Sequence, residues 1–198
     1  MDVPALVKKI NELSLKKSPL LVAIDGRCGS GKTTLAHKLH ETCGGNLFHM
    51  DEFYLRIEQR TPERYAEPGG NVDYERFLEE LLSPVLSGDE FSYRPFDIST
   101  WSLGERKQVS PHTINIIEGS YSLHPTLNKL YDIKVFLDIG KDEQMNRIIK
   151  RNGERWAMDF RDKWIPLEEL YFSAYSVHEL CDFVWNTEAL TRREEETD

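Results

Sequence analysis

The stretch Gly26-Arg27-Cys28-Gly29-Ser30-Gly31-Lys32-Thr33 has the form G-x-x-x-x-G-K-[ST]. Such a loop is suited to gripping phosphate. Its glycines let successive backbone N–H groups converge on phosphate oxygens without Cβ clashes, and a helix opening behind it turns its positive end toward the anion. A lysine at position 32 would reach the outer phosphates of ATP. The hydroxyl of Thr33 would ligate Mg²⁺, with Thr34 following it. The plainer reading is a glycine-rich turn that binds nothing. Its context argues against that, because the loop follows an apolar run and precedes a helical pattern. Cys28 reads as a spacer in the loop rather than as a redox switch.

Acids supply the second set of candidates. Asp51, Glu118 and Asp138 each directly follow a short apolar run, and ligands of open α/β sheets bind beyond the carboxyl ends of strands. A carboxylate there can hold Mg²⁺ through water or accept the proton of an attacking hydroxyl. Asp51 and Glu118 read as functional. Asp138 reads as a strand-end acid, Asp25 as a brace for the loop, and His49 as the donor or acceptor of a local hydrogen bond.

The elements that must position these residues follow from periodicity. Asp2 caps a helix with Pro4 just inside it and an apolar stripe of Leu6, Val7, Ile10 and Leu13. Leu20–Ile24 reads as a buried parallel strand, and Lys32 to about Thr42 as a helix with Leu35, Ala36 and Leu39 inward. Further strands are expected at 47–50, 113–117, 133–137 and 183–185. Helices are expected after Asp73, over 141–151, and from Pro166 through Leu180. Residues 56–72 read as a long loop, 91–110 as an irregular or hairpin excursion, and 152–164 as a charged, aromatic stretch without clean periodicity. This alternation predicts an α/β three-layer fold of the P-loop NTPase type, a central parallel sheet flanked by helices, with a small lid (about 152–165) and a hairpin insertion. The 198 residues suit a single domain, with a disordered acidic tail expected over 192–198.

Composition narrows the function classes. A net charge of −9 disfavours nucleic acid or an anionic membrane as the main partner. Cys28, Cys43 and Cys181 have neither zinc-site nor disulfide-framework spacing. With no signal-peptide pattern and no membrane-length apolar run, a cytoplasmic protein is expected.

Taken together, the motifs resemble the uridine kinase/phosphoribulokinase family of P-loop kinases, which includes nicotinamide riboside kinase and bacterial pantothenate kinase. The resemblance runs from about Leu20 to Thr187. It is carried by the phosphate loop with Thr33-Thr34, by Asp51-Glu52-Phe53-Tyr54, and by Asn71-Val72-Asp73 with Phe77. Tyr93-Arg94-Pro95-Phe96-Asp97, Ile116-Ile117-Glu118-Gly119, and the stretch Leu127 to Asp138 leading into Arg147 and Arg151 complete it. It implies transfer of the ATP γ-phosphate to a hydroxyl of a nucleoside or similar small metabolite. Asp51 would be the base or hydroxyl-orienting acid. Asp73 would hold sugar hydroxyls, Tyr54 would pack on the substrate, and Glu118 would sit near Mg²⁺. Arg147 and Arg151 would lie over the phosphates, although their i, i+4 spacing also suits a solvated helix face paired with acids. Members of this family often form homo-oligomers.

One departure concerns the acceptor. Uridine kinases have a tyrosine before the hairpin aspartate and a histidine four residues after it. Here those positions are Phe96 and Trp101, neither of which offers an acceptor to read uracil, although Trp101 can stack. Arg155 to Arg161 with Trp164 form an unusually aromatic lid, read either as a closing flap or as a packing or dimer surface. A GTPase is disfavoured because Asn128-Lys129 leads into Leu130-Tyr131 rather than a guanine-reading aspartate. An ATP-binding interaction protein on a kinase scaffold stays as the alternative to a kinase.

Overall fold

The computed structural model describes residues 1–188. The expected acidic tail lies outside them. In chain order the elements begin with α1 (Val3–Ser14), β1 (Leu20–Gly26), α2 (Lys32–Cys43) and β2 (Asn46–His49). A 3₁₀ turn (Met50–Phe53) and a short helix α3 (Pro62–Ala66) follow. Then come α4 (Tyr74–Phe77), α5 (Ser83–Ser87), β3 (Phe91–Tyr93), β4 (Phe96–Asp97), β5 (Ser102–Leu103), β6 (Lys107–Val109), β7 (Ile114–Glu118) and β8 (Ile133–Asp138). The described chain closes with α6 (Lys141–Asn152), α7 (Glu154–Asp159), α8 (Ile165–Tyr175) and β9 (Phe183–Asn186).

Five strands form one parallel sheet in the order β2-β7-β1-β8-β9. The period-2 alternation of β1 divides its side chains between two cores. Leu20, Val22 and Ile24 pack with Leu6 and Ile10 of α1 and with Leu35, Ala36 and Leu39 of α2. Leu21 and Ala23 face the other way, toward Phe77 and Leu81 after Asp73 and toward Tyr171 and Phe172 of α8. The sheet is therefore sandwiched between two helical layers, as the sequence pattern predicts. No helix among the described residues is long and apolar enough to cross a membrane.

Several expectations are corrected. The strand before Asp51 ends at His49, and Met50 is buried in the 3₁₀ turn. Residues 56–72 are not a plain loop, because α3 forms there, capped by the Thr61 hydroxyl. The excursion at 91–110 is a nested pair of hairpins, β3 with β6 and β4 with β5. The largest correction concerns the lid. Helix runs from Glu154 through a π turn (Phe160–Trp164) into α8, so Pro166 lies inside a continuous helical stretch rather than opening one. The same device occurs at Pro84, which follows the π turn Leu78–Leu82. Proline lacks an N–H and its ring crowds the carbonyl four residues back. A π turn just before it widens the spiral and shifts the hydrogen-bond register, so the helix continues past the proline. The expected extension to Leu180 also fails. The helix stops where Ser176 turns left-handed (φ 45°), and a separate 3₁₀ turn covers Val177–Leu180.

Candidate active site

Beyond the carboxyl ends of β1, β2 and β7 lies a cavity of about 870 Å³. Its phosphate-loop side is lined by Cys28, Gly29, Gly31, Lys32, Thr33 and Thr34. Gly26, Gly29 and Gly31 all have positive φ. At Gly26 a Cβ would lie 2.1 Å from the carbonyl oxygen of Leu137, whereas at Gly31 there is open space. The first glycine thus serves the close approach of loop to β8, and the last serves the helix entry. Lys32 is buried, and its ammonium donates to the carbonyls of Gly26 (2.7 Å) and Arg27 (2.8 Å). Gly26, Arg27 and Ser30 do not line the cavity. Arg27 turns away from the cavity, pairing with Asp138 at 2.7 Å and with Glu169, while it lies over Phe172. Asp138 is therefore engaged structurally, in line with its reading.

Asp25 is fully buried and accepts from the N–H groups of Gly26 (2.7 Å), Tyr121 (3.2 Å) and Leu123 (2.9 Å) and from the Tyr171 hydroxyl (2.8 Å). It ties the phosphate loop to the loop after β7 and to α8. Burial pushes its carboxyl up to about 6, against the pull of those donors. Cys28 is held as a neutral thiol by burial and by the nearby Glu168 carboxylate, in line with a spacer rather than a reactive group.

Glu118, at the end of β7, is buried and central. It accepts from the Thr33 hydroxyl (3.2 Å) and meets His49 Nδ1 at 2.6 Å. That contact raises the His49 pKa. Asp51 opens onto the same cavity. Asp51 as a residue is exposed, yet its carboxyl is raised above the ordinary aspartate range, first by desolvation against the cavity wall and then by the Glu118 charge. A hydroxyl and a carboxylate at one point are the hard oxygen donors that Mg²⁺ takes. Mg²⁺ ordinarily adds waters and substrate phosphates to one or two protein oxygens. No group of three or more His, Cys, Asp or Glu side chains among the described residues could hold a metal ion, so the residues present fit Mg²⁺ only in that shared form.

The side of the cavity opposite the loop is assembled from several segments. Tyr54, Phe96, Trp101, Arg147 and Arg151 all line it. Arg147 pairs with Glu143 at 2.8 Å but also reaches the Gly29 carbonyl at 3.4 Å. Arg151 bonds Asn152 at 2.7 Å. Both the helix-face reading and the phosphate-facing reading are thus represented in the geometry. Asp73 differs from its expected position. It is buried behind the wall, caps the following helix through the Arg76 N–H (3.1 Å), and faces Arg56 and Arg76 at 3.7 Å. It does not line the cavity.

Sequence reasoning missed several lining residues, among them Arg60, Tyr65, Asn71 and Tyr121. It also missed Glu168, which is buried on α8, accepts from the Cys28 N–H (3.0 Å) and accepts from the Ser120 hydroxyl (2.6 Å). A lone acid in a helical pattern carries no signal of this. Of the aromatic stretch 155–164, Trp156, Phe160 and Trp164 all reach the cavity, from the continuous helix rather than from a separate flap.

No family model matches the chain. It is 29% identical over 150 residues to a curated uridine kinase of Clostridium perfringens, covering 70% of this chain and 71% of that protein. It is 28% identical over 149 residues to the uridine kinase of Ligilactobacillus salivarius, covering 70% and 69%. Among solved structures it resembles that of a possible uridine kinase from Bacillus stearothermophilus (TM-score 0.65, 20% identity, 91% of this chain and 99% of that one). It also resembles a candidate fructose transport system kinase from Silicibacter sp. TM1040 (TM-score 0.74, 23% identity, 93% and 99%). The chain is thus similar in sequence to uridine kinases and has the fold of the P-loop kinases related to them.

Proposed function

We propose that this protein is an ATP-dependent kinase that transfers the γ-phosphate to a hydroxyl of a small metabolite, the whole chain acting as one kinase domain. The reading rests on one observation: Lys32, Thr33, Asp51 and Glu118, which come from three separate strand ends, line a single cavity. Phosphoryl transfer needs little covalent chemistry from the protein. Positioning and charge stabilisation carry it.

In this reading the amides of the loop cradle the triphosphate, and Lys32 leaves its two loop carbonyls to meet the outer phosphates. Thr33 and Glu118 would hold Mg²⁺, which when bound would supply positive charge to the triphosphate. Asp51 orients the attacking hydroxyl and accepts its proton. Its raised pKa brings it nearer the operating pH, as a general base requires. Arg147 and Arg151 supply positive charge over the transferring group. The aromatic residues of α7 and the π turn exclude water from the closed site, which protects ATP from hydrolysis. Phe96 and Trp101 favour an acceptor other than uridine.

The test is ATP consumption by the purified chain against a panel of nucleosides, pantothenate and sugars, with Asp51→Asn alongside. Acceptor-dependent turnover that disappears in the variant supports the proposal. ATP binding without turnover on any acceptor moves the protein to the class of ATP-binding interaction proteins.

A further inference from the structure

The acceptor side of the cavity contains a cation that the kinase reading does not use. Arg60 follows the 3₁₀ turn Ile57–Gln59 and lines the cavity. Its Nε donates to the Leu55 carbonyl at 2.9 Å. Its guanidinium lies 4.5 Å from the ring centroid of Trp101 and 5.6 Å from that of Phe96. These contacts hold the plane of the group still. They leave its two terminal nitrogens with no protein partner among the described residues.

The neighbouring arginines are a control for this observation. Arg56 pairs with Glu58 (3.5 Å) and Asp73 (3.7 Å), Arg64 pairs with Glu75 (2.6 Å), and Arg76 pairs with Glu80 (3.3 Å). Among the described residues Arg60 has no carboxylate; nor does Arg151 elsewhere on the cavity wall, which bonds Asn152, but only Arg60 lies against the Phe96 and Trp101 rings. The hairpin acid beside Phe96 does not serve it either, because Asp97 accepts from the Ser99 N–H and hydroxyl. A half-buried guanidinium without a counter-ion loses hydration that one carbonyl and two ring faces only partly replace. Trp101 sits at φ 53°, a backbone region that bulky residues avoid at a cost of about 1 kcal/mol or more. The hairpin tip therefore keeps its strained residue where that ring meets Arg60.

We propose that Arg60 is an anion-reading group, and that the phosphate acceptor carries a carboxylate or a phosphate in addition to its reactive hydroxyl. The planar fork of a guanidinium matches either anion through two parallel hydrogen bonds. Such an acceptor would lay its apolar or ring portion against Tyr54 and Phe96, present its hydroxyl to Asp51, and place its charge on Arg60. This deepens the kinase reading and rests on it.

The experiment is calorimetry on the full chain with matched neutral and anionic probes. The pairs are uridine with orotidine, pantothenyl alcohol with pantothenate, and glycerol with glycerol 3-phosphate. Each is titrated with and without magnesium and a non-hydrolysable ATP analogue. At least one anionic probe is expected to bind about tenfold or more tighter than its neutral partner. Arg60→Met should abolish that preference, Arg60→Lys should restore part of it, and affinity for the ATP analogue should be unchanged in both. The carboxylate and phosphate arms identify which anion is read. Equal binding of the two members of every pair, absence of binding by all anionic probes, or a preference that survives Arg60→Met in a variant with unchanged melting each overturns the proposal. Failure of the wild-type chain to bind the ATP analogue sinks the kinase reading instead, and the titrations without nucleotide still report on Arg60.

Discussion

The two sides of the cavity are built on opposite principles. The phosphate side is made by one contiguous loop, and its recognition groups are backbone amides, glycines and a lysine within one turn of a helix. The opposite side, proposed to take the acceptor, draws Asp51, Tyr54, Arg60, Phe96, Trp101 and the aromatic face of residues 156–164 from separate elements, and its groups are side chains. A backbone cradle recognises what every triphosphate shares. A side-chain wall can be rebuilt one residue at a time, and in the proposed reading Phe96 and Trp101 turn it away from uridine while the loop keeps its form. Chemistry and specificity are therefore expected to separate on mutation.

The largest effect is expected where the two sides meet. Asp51→Asn should lower kcat by about 10²–10⁴-fold on the best acceptor and leave Mg–ATP affinity within a few-fold, read by steady-state kinetics and calorimetry. A comparable loss of nucleotide binding would show that the two sides are not separable. Lys32→Ala should instead strike both steps, abolishing measurable Mg–ATP binding and cutting turnover by roughly 10²–10³-fold. Unchanged binding would remove the loop from the mechanism.

Gly26→Ala tests the architecture rather than the chemistry. With the leucine carbonyl in the way of its methyl group, it should destabilise the fold by roughly 3 kcal/mol or more, seen as a lowered denaturation midpoint. A near-wild-type midpoint would mean that β8 yields easily to the loop. Trp101→Gly removes the ring over Arg60 and relieves its backbone strain. It should raise the acceptor KM by about tenfold without lowering thermal stability, whereas a fall in kcat alone would place Trp101 in the transfer step.

The smallest effect concerns pH. Because the Asp51 pKa is raised, the carboxylate form is lost as pH falls through a value above the ordinary aspartate range. The acid limb of kcat/KM should therefore lie above pH ~4. Glu118→Gln removes the second cause of the shift, and in the magnesium-free protein it should lower the Asp51 titration slightly, read by NMR. An Asp51 titration that does not move would make desolvation the whole cause.

Much of the scaffold could be read from periodicity. β1, α2, β7, β8 and α6 lie within a residue or two of their expected limits, because each is either a short apolar run or a clean amphipathic stripe ending in a glycine or an acid. The phosphate loop was legible for the same reason: its function depends on residue types at adjacent positions. The helix through Pro166 was not legible, since a proline ordinarily ends a helix and only the preceding π turn lets this one continue. The inward burial of Asp73 was equally hidden. A capping residue reads the same from sequence whether its free oxygen faces a substrate or two arginines.

What this sequence determined by itself is the parallel sheet, the glycine-rich loop before α2 and the strand-end acids, because local pattern and backbone chemistry are sufficient for them. The tertiary structure alone decided that Arg60 meets Trp101 across a gap of forty-one positions, that Glu168 holds the Cys28 amide, and that Asp73 is withdrawn behind the wall. Those outcomes depend on how separate elements pack, and no spacing along the chain encodes a distance across a cavity.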